Sequence, residues 1–188
     1  LRRKENTPFP ARQAVAYFSV LPDEEVWERM RAHMEKVIAC LGLRECLLHA
    51  DVIDGQDGPF VIELSARPSG HNLHNLFTTL CTGVDMAEEY IRHRMGLPCD
   101  FVSRRKYIMM IHYFDMEGTV KAVPTQEQVY QSTGEDPLIW ECYIKEGERL
   151  EPVVNGHGLM GRGFFVLGGE SRECLRERAA RIKALFGT

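Results

Sequence analysis

The chain has 188 residues, 44% of them hydrophobic and 27% charged, with a net charge of -4. These proportions are those of a folded globular protein of one domain or two small ones, and they exclude disorder. No Lys/Arg cluster marks a nucleic-acid or anionic-membrane footprint, and no apolar run approaches the ~20 residues of a membrane span. The polar start, Leu1-Arg2-Arg3-Lys4-Glu5-Asn6-Thr7, has no signal-peptide core and no initiating Met, so the chain reads as trimmed or as a fragment. Six cysteines without a Cys-x-x-Cys pair, most of them in apolar contexts, read as buried reduced thiols of a cytoplasmic protein.

Residues 14–21 form an apolar run that predicts a buried strand, closed by Pro22. Asp23 is placed to cap a helix running to Leu41, with Val26, Trp27, Met30, Met34, Val37, Ile38 and Leu41 as its core stripe and Gly42 as its stop. Two strands follow, 46–53 and 60–67, around the turn-rich Asp54-Gly55-Gln56-Asp57-Gly58-Pro59. A short helix is expected over 71–82. Another, boxed by Asp85 and Glu88, ends at Gly96. Beyond Pro98 strands dominate: 106–114, 118–123, 138–145 and 162–168, with a helix at 125–131 and a closing helix from Ser171. The domain boundary is placed near residue 102, giving units 1–102 and 103–188. The fold class is α+β: an antiparallel sheet with flanking helices, then a small strand-rich α+β C-terminal domain.

The stretch with most chemistry is His49-Ala50-Asp51-Val52-Ile53 and its return, Phe60 to Gly70. Strand alternation puts Phe60, Ile62, Leu64 and Ala66 on one face, toward a core, and Val61, Glu63, Ser65 and Arg67 on the other. In a hairpin centred on Asp57, Asp51 lies opposite Glu63 and His49 opposite Ser65. Cβ atoms so placed are roughly 5 Å apart, and like charges there repel unless neutralised. Two readings fit: an exposed polar face with a surface salt bridge, or a divalent cation held by two carboxylates plus phosphates, with Arg67 beside an anion.

These residues resemble the metal-binding strands of the ATP-grasp superfamily, in which a carboxylate strand is followed about a dozen residues later by a Glu-x-Asn-x-Arg strand. The match here is Asp51, then Glu63-Leu64-Ser65-Ala66-Arg67-Pro68-Ser69-Gly70, and it extends over roughly 14–98 through Gly83-Val84-Asp85 and Gly96-Leu97-Pro98. The asparagine position is Ser65. The tail, through Tyr113-Phe114-Asp115-Met116-Glu117-Gly118-Thr119-Val120 and Gly161-Arg162-Gly163-Phe164-Phe165-Val166, resembles the small C-terminal domain of L-amino acid ligases and biotin carboxylase-like proteins. The resemblance implies the C-terminal half of an ATP-grasp domain in 1–102, binding ATP and Mg²⁺ (or Mn²⁺) through Asp51 and Glu63, with Ser65 as third ligand. Arg67 would stabilise the acyl phosphate or its phosphate. His71, which follows the Arg67 strand directly, is placed by chain position, not by the resemblance, as a residue expected to line the substrate cleft.

The implied activity is ATP-dependent carboxylate–amine ligation through an acyl phosphate, with small-molecule acid and amine as partners. Alternatives are a biotin carboxylase or carbamoyl phosphate synthetase type, or a degenerate non-catalytic scaffold. The phosphate-binding lysines and glycine-rich loop of the N-terminal ATP-grasp half do not precede Leu1, so the chain alone is expected to be inactive; a homodimer is left open.

Other motifs weigh less. Gly156-His157-Gly158-Leu159-Met160-Gly161 fits Gly-x-Gly-x-x-Gly, but a strand-like run follows it, so it reads as a loop between strands. His71 and His74 lack partners for a tetrahedral zinc set. His49 is open between an acid/base role and a hydrogen-bonded structural one, and Ser69 has no recognisable base.

Overall fold

The computed structural model describes residues 1–104 and 107–188. Its elements in chain order are β1 (Arg2–Asn6), β2 (Ala14–Ser19), α1 (Glu25–Leu41), β3 (His49–Gly55), β4 (Gly58–Ser65), a π-turn (Leu73–Phe77), α2 (Thr78–Thr82), α3 (Met86–Arg94), β5 (Ile108–Tyr113), β6 (Gly118–Thr119), α4 (Gln126–Thr133), β7 (Ile139–Cys142), β8 (Arg149–Leu150), α5 (Gly156–Met160), β9 (Gly163–Gly169) and α6 (Arg172–Ala184). The α+β class is as expected. Lys106, the first residue of the strand expected over 106–114, lies outside the described residues.

The chain forms two compact units, Leu1–Ser19 with Tyr107–Thr188, and Val20–Lys106. The first 19 residues therefore belong with the C-terminal unit rather than with the first half. The reason is pairing: β1 and β2 join a five-stranded antiparallel sheet in the order β1-β2-β5-β9-β7. β1 was not legible, because Arg2, Arg3, Lys4 and Glu5 give no apolar alternation; it is a charged edge strand, a composition that discourages edge-to-edge association.

The core of this unit lies on the sheet face bearing Ala16, Phe18, Met110, Phe165 and Leu167, under Leu175, Ala179, Ile182 and Phe186 of the closing helix segment. Helix α6 crosses β5 and β9, and α4 packs beside α6. Ser171 caps α6 by accepting the Cys174 N–H, and Thr125 with Gln128 makes a full capping box on α4. Gly163 (φ +96°) is required: a Cβ there would sit 2.0 Å from the Glu141 carbonyl oxygen on the neighbouring strand. The Gly156–Met160 segment is a helix capped by Asn155, not the plain loop expected.

In the other unit, α1 begins after Glu24, not under an Asp23 cap. Glu24 instead turns its carboxylate back to the Leu21 N–H at 2.8 Å. Gly42 ends the helix in the left-handed region, with Gly42 and Leu43 N–H groups returning to Ala39 and Ile38. Of the α1 stripe only Met30 is fully buried. Asp85 caps α3, accepting from Ala87 and Glu88 N–H at 3.0 and 3.1 Å. The helix expected over 71–82 is a π-turn continuing into α2, pinned by buried Leu73 and Phe77 and by the Thr78 hydroxyl donating to the Leu73 carbonyl. No helix among the described residues is long and apolar enough to cross a membrane.

Candidate functional site

Strands β3 and β4 form a two-stranded antiparallel sheet closed by Gln56-Asp57, a two-residue turn far tighter than the 54–59 loop expected. From the turn, Gly55 pairs with Gly58, Asp54 with Pro59, Ile53 with Phe60 and Val52 with Val61. Continued regularly, that ladder would set Asp51 opposite Ile62 and turn Glu63 to the far face. A β-bulge intervenes at this point, and Asp51 pairs with Glu63, Ala50 with Leu64 and His49 with Ser65. Residue 62 is the extra one.

The bulge overturns one expectation. Cross-strand partners share a face, and Ile53 lies two positions from Asp51, so Ile53 and Phe60 stand on the carboxylate face. The apolar face is instead built from half-buried Ala50, Val52, Val61 and Leu64. Ile53 and Phe60 are 56% and 66% exposed, too open for core residues, and so is Ile62 at 57%. Strand alternation puts Ile53 on the Asp51 face, as found, but turns Phe60 and Ile62 toward the core, because it cannot see a bulge. The Gly55-x-x-Gly58 spacing was the available signal: a two-residue turn there cannot put Asp51 opposite Glu63 without one extra residue.

The polar face thus reads, from the turn outward, Ile53/Phe60, Asp51/Glu63, His49/Ser65, and then Arg67 beyond the strand end. The His49 Nε2 lies 3.6 Å from the Asp51 Oδ1, and the Ser65 hydroxyl donates to the Glu63 Oε1 at 3.5 Å. Arg67 is exposed and donates from Nη1 to the Pro68 carbonyl at 2.9 Å, so its guanidinium lies along its own chain. His71 and Asn72 both hold positive φ, +58° and +56°, in the turn that leads from β4 into the π-turn. Such backbone costs on the order of 1–3 kcal/mol per residue and persists only where its surroundings fix it. Here the fixing is done by Leu73 N–H to the Gly70 carbonyl, Phe77 N–H to the Asn72 carbonyl, and the two buried apolar side chains.

Two ties hold the hairpin in its unit. Arg29 of α1 grips Asp54 through Nε and Nη2 at 3.2 and 2.5 Å. Glu45, just before β3, meets His93 at 2.7 Å and Arg94 at 3.4 Å, while the Tyr90 hydroxyl donates to the Glu45 carbonyl. Among the described residues no three His, Cys, Asp or Glu side chains converge closely enough to ligate one ion, which includes the His71/His74 pair. The donor set that does face together, two carboxylates flanked by a hydroxyl, is hard oxygen chemistry suited to Mg²⁺ sharing its shell with phosphates and water.

No protein-family profile and no curated protein sequence matches the chain. Solved structures do match its fold. It is similar to phosphoribosylglycinamide synthetase from Anaerococcus prevotii (13% identity, TM-score 0.70, 96% of this chain and 46% of that one). It is similar to L-amino acid ligase from Bacillus licheniformis (18% identity, TM-score 0.67, 96% and 47%). A further match is the biotin carboxylase domain of the Hydrogenobacter thermophilus 2-oxoglutarate carboxylase, solved with MgADP and bicarbonate (16% identity, TM-score 0.54, 89% and 37%). The chain thus spans less than half the length of each of these three proteins and shares its fold with part of each.

Proposed function

We propose that this chain is the C-terminal part of an ATP- and Mg²⁺-dependent carboxylate–amine ligase. The observation that carries the proposal is the Asp51–Glu63 pair, brought opposite each other by a bulge that the hairpin would otherwise not need. Two facing carboxylates at this spacing repel, and a cation removes the repulsion. When bound, Mg²⁺ would neutralise phosphate oxygens during transfer. Asp51 and Glu63 would hold it, with Ser65 beside them.

The graded face supports the same ligand. Ile53 and Phe60 offer an apolar surface roughly 7 Å, two strand positions, from the carboxylates. Arg67 follows on the other side. A nucleotide has matching parts: an apolar base, phosphates, and a transferred phosphoryl group that gathers negative charge. In the reaction, a substrate carboxylate oxygen attacks the γ-phosphorus, ADP leaves, and the acyl phosphate forms. An amine then attacks the acyl carbon and phosphate departs. Arg67 would stabilise the phosphate oxygens through both steps, and His71 would contact the acid substrate. Bicarbonate is the alternative acid, by analogy with the carboxylase domain solved with it.

The test uses the longer parent protein. Glu63→Gln should lower turnover about a hundredfold or more, the loss of roughly 3 kcal/mol of charge stabilisation, with the melting temperature unchanged. Turnover within a few-fold of the parent would refute the assignment. The 188-residue chain alone, offering one wall of the nucleotide site, should not hydrolyse ATP.

A further inference from the structure

The side chains flanking the carboxylates follow a symmetrical pattern. On β3, His49 lies two positions before Asp51 and meets its Oδ1 at 3.6 Å. On β4, Ser65 lies two positions after Glu63 and meets its Oε1 at 3.5 Å. His49 and Ser65 are themselves cross-strand partners, as Asp51 and Glu63 are. Each carboxylate is therefore touched on one oxygen by a neighbour from its own strand, and the two neighbours sit side by side at the same end of the pair. The Ser65 contact is at the long limit of hydrogen bonding, and the His49 contact, at 3.6 Å, lies beyond it at ion-pair distance, so they orient the carboxylates without locking them.

The geometry points to His49 and Ser65 as paired positioning residues that hold one oxygen of each carboxylate and so aim the carboxylates at a shared divalent cation. This rests on the reading of Asp51 and Glu63 as the cation's ligands, and it reassigns Ser65 from ligand to orienting group. Two observations support it. A serine hydroxyl engaged with the Glu63 carboxylate is turned to its neighbour rather than outward. The His49 side chain is also only 22% exposed, against 31% for Asp51, as befits a group that supports another from behind. Side chains that orient metal ligands are worth about 10–100-fold in metal affinity when removed.

The test is a Mn²⁺ titration of the ¹⁵N-labelled 188-residue chain, read as paramagnetic broadening of the Asp51 and Glu63 amides, with pulsed electron paramagnetic resonance on the same samples. In the wild type, broadening should centre on these two residues, and Glu63→Gln should abolish it. His49→Ala and Ser65→Ala should each weaken Mn²⁺ about tenfold, within the range for such orienting groups. His49→Gln and Ser65→Thr, which keep a donor, should recover most of the affinity. The wild-type resonance should show no directly bonded imidazole nitrogen. If Glu63→Gln leaves the broadening unchanged, or none is focused there at millimolar Mn²⁺, the ligand assignment falls and the positioning roles fall with it. If Glu63→Gln abolishes the broadening while both alanine variants bind within twofold of wild type, the ligands stand and the positioning roles are overturned. A nitrogen coupling that disappears in His49→Ala would make His49 a ligand and overturn its positioning role.

Discussion

His112 gives the C-terminal unit a defined dependence on pH. It lies on β5, facing the core, with its ring stacked on Phe165 at 5.3 Å between centroids and 1° between planes. Its Nδ1 is 2.7 Å from the Tyr113 carbonyl, which makes that nitrogen the proton-bearing one in the neutral ring. Burial pushes its pKa down from 6.5 to about 4; the Lys183 ammonium pushes the same way, against the opposing pull of Asp115, the Tyr113 carbonyl and Glu5. The sign follows from proton counts. Between pH 6.5 and 4 the unfolded chain binds a proton that the folded chain refuses, so stability falls as pH falls through this window and is fully present above it.

A shift from 6.5 to about 4 corresponds to roughly 3 kcal/mol once pH is below the window, and to roughly 1 kcal/mol near pH 5.5. That is a large fraction of the ~5–15 kcal/mol that stabilises a domain. The measurement is urea unfolding from pH 4.5 to 7.5 in a Trp27→Phe background, so that fluorescence reports Trp140, which stacks on Phe165 at 6.0 Å. His112→Phe keeps the ring and removes the titration, and its unfolding midpoint should fall less steeply with acid by the amounts above. Parallel pH profiles for the two proteins would refute the assignment of this slope to His112.

Three further outcomes follow from the packing and the hairpin register. Deleting Ile62 removes the extra residue yet leaves Ile53–Phe60, Val52–Val61 and Asp51–Glu63 as partners, so a cross-strand Overhauser contact between Asp51 and Glu63 should survive; its loss would show that the bulge does more than absorb one residue. Gly163→Ala brings a methyl 2.0 Å from the Glu141 carbonyl oxygen at φ +96°, and should cost about 3 kcal/mol or more, seen as a lowered midpoint in the Trp140 transition. Phe165→Ala empties a fully buried site touching His112, Phe114 and Trp140, and should cost about 3–5 kcal/mol by the same assay.

Much of this was legible in the sequence where one strong local rule sufficed. Gly42 ends α1, Asp85 caps α3, and Ser171 starts α6, each because a single residue supplies the left-handed backbone or the acceptor that the helix end needs. The opposition of Asp51 and Glu63 was legible from strand alternation. What stayed hidden depended on distant partners. β1 exists because β2 offers it a ladder, not because Arg2-Arg3-Lys4-Glu5-Asn6 favours a strand. Asp23 has the right chemistry for a cap, yet Glu24 takes the cap position and turns its carboxylate back to Leu21. The π-turn at Leu73–Phe77 follows two left-handed residues that no propensity suggests, and two buried side chains hold it.

The hairpin itself joins these two kinds of information. Alternation alone predicts the correct carboxylate pair but from a mistaken loop, because a hairpin centred on Asp57 and a tight Gln56-Asp57 turn with one bulged residue put Asp51 and Glu63 in the same register. The two differ only on the turn side of the pair. There the bulge carries Phe60 across the sheet to join Ile53, so the carboxylates have an apolar neighbour on one side and His49, Ser65 and Arg67 on the other. A regular ladder from the same turn would have kept the Ile53–Phe60 pair and lost Glu63 to the opposite face. A six-residue loop would have kept Glu63 and buried Phe60. Only the tight turn with a bulge places Ile53 with Phe60, the two acids, and His49 with Ser65 in succession on one face.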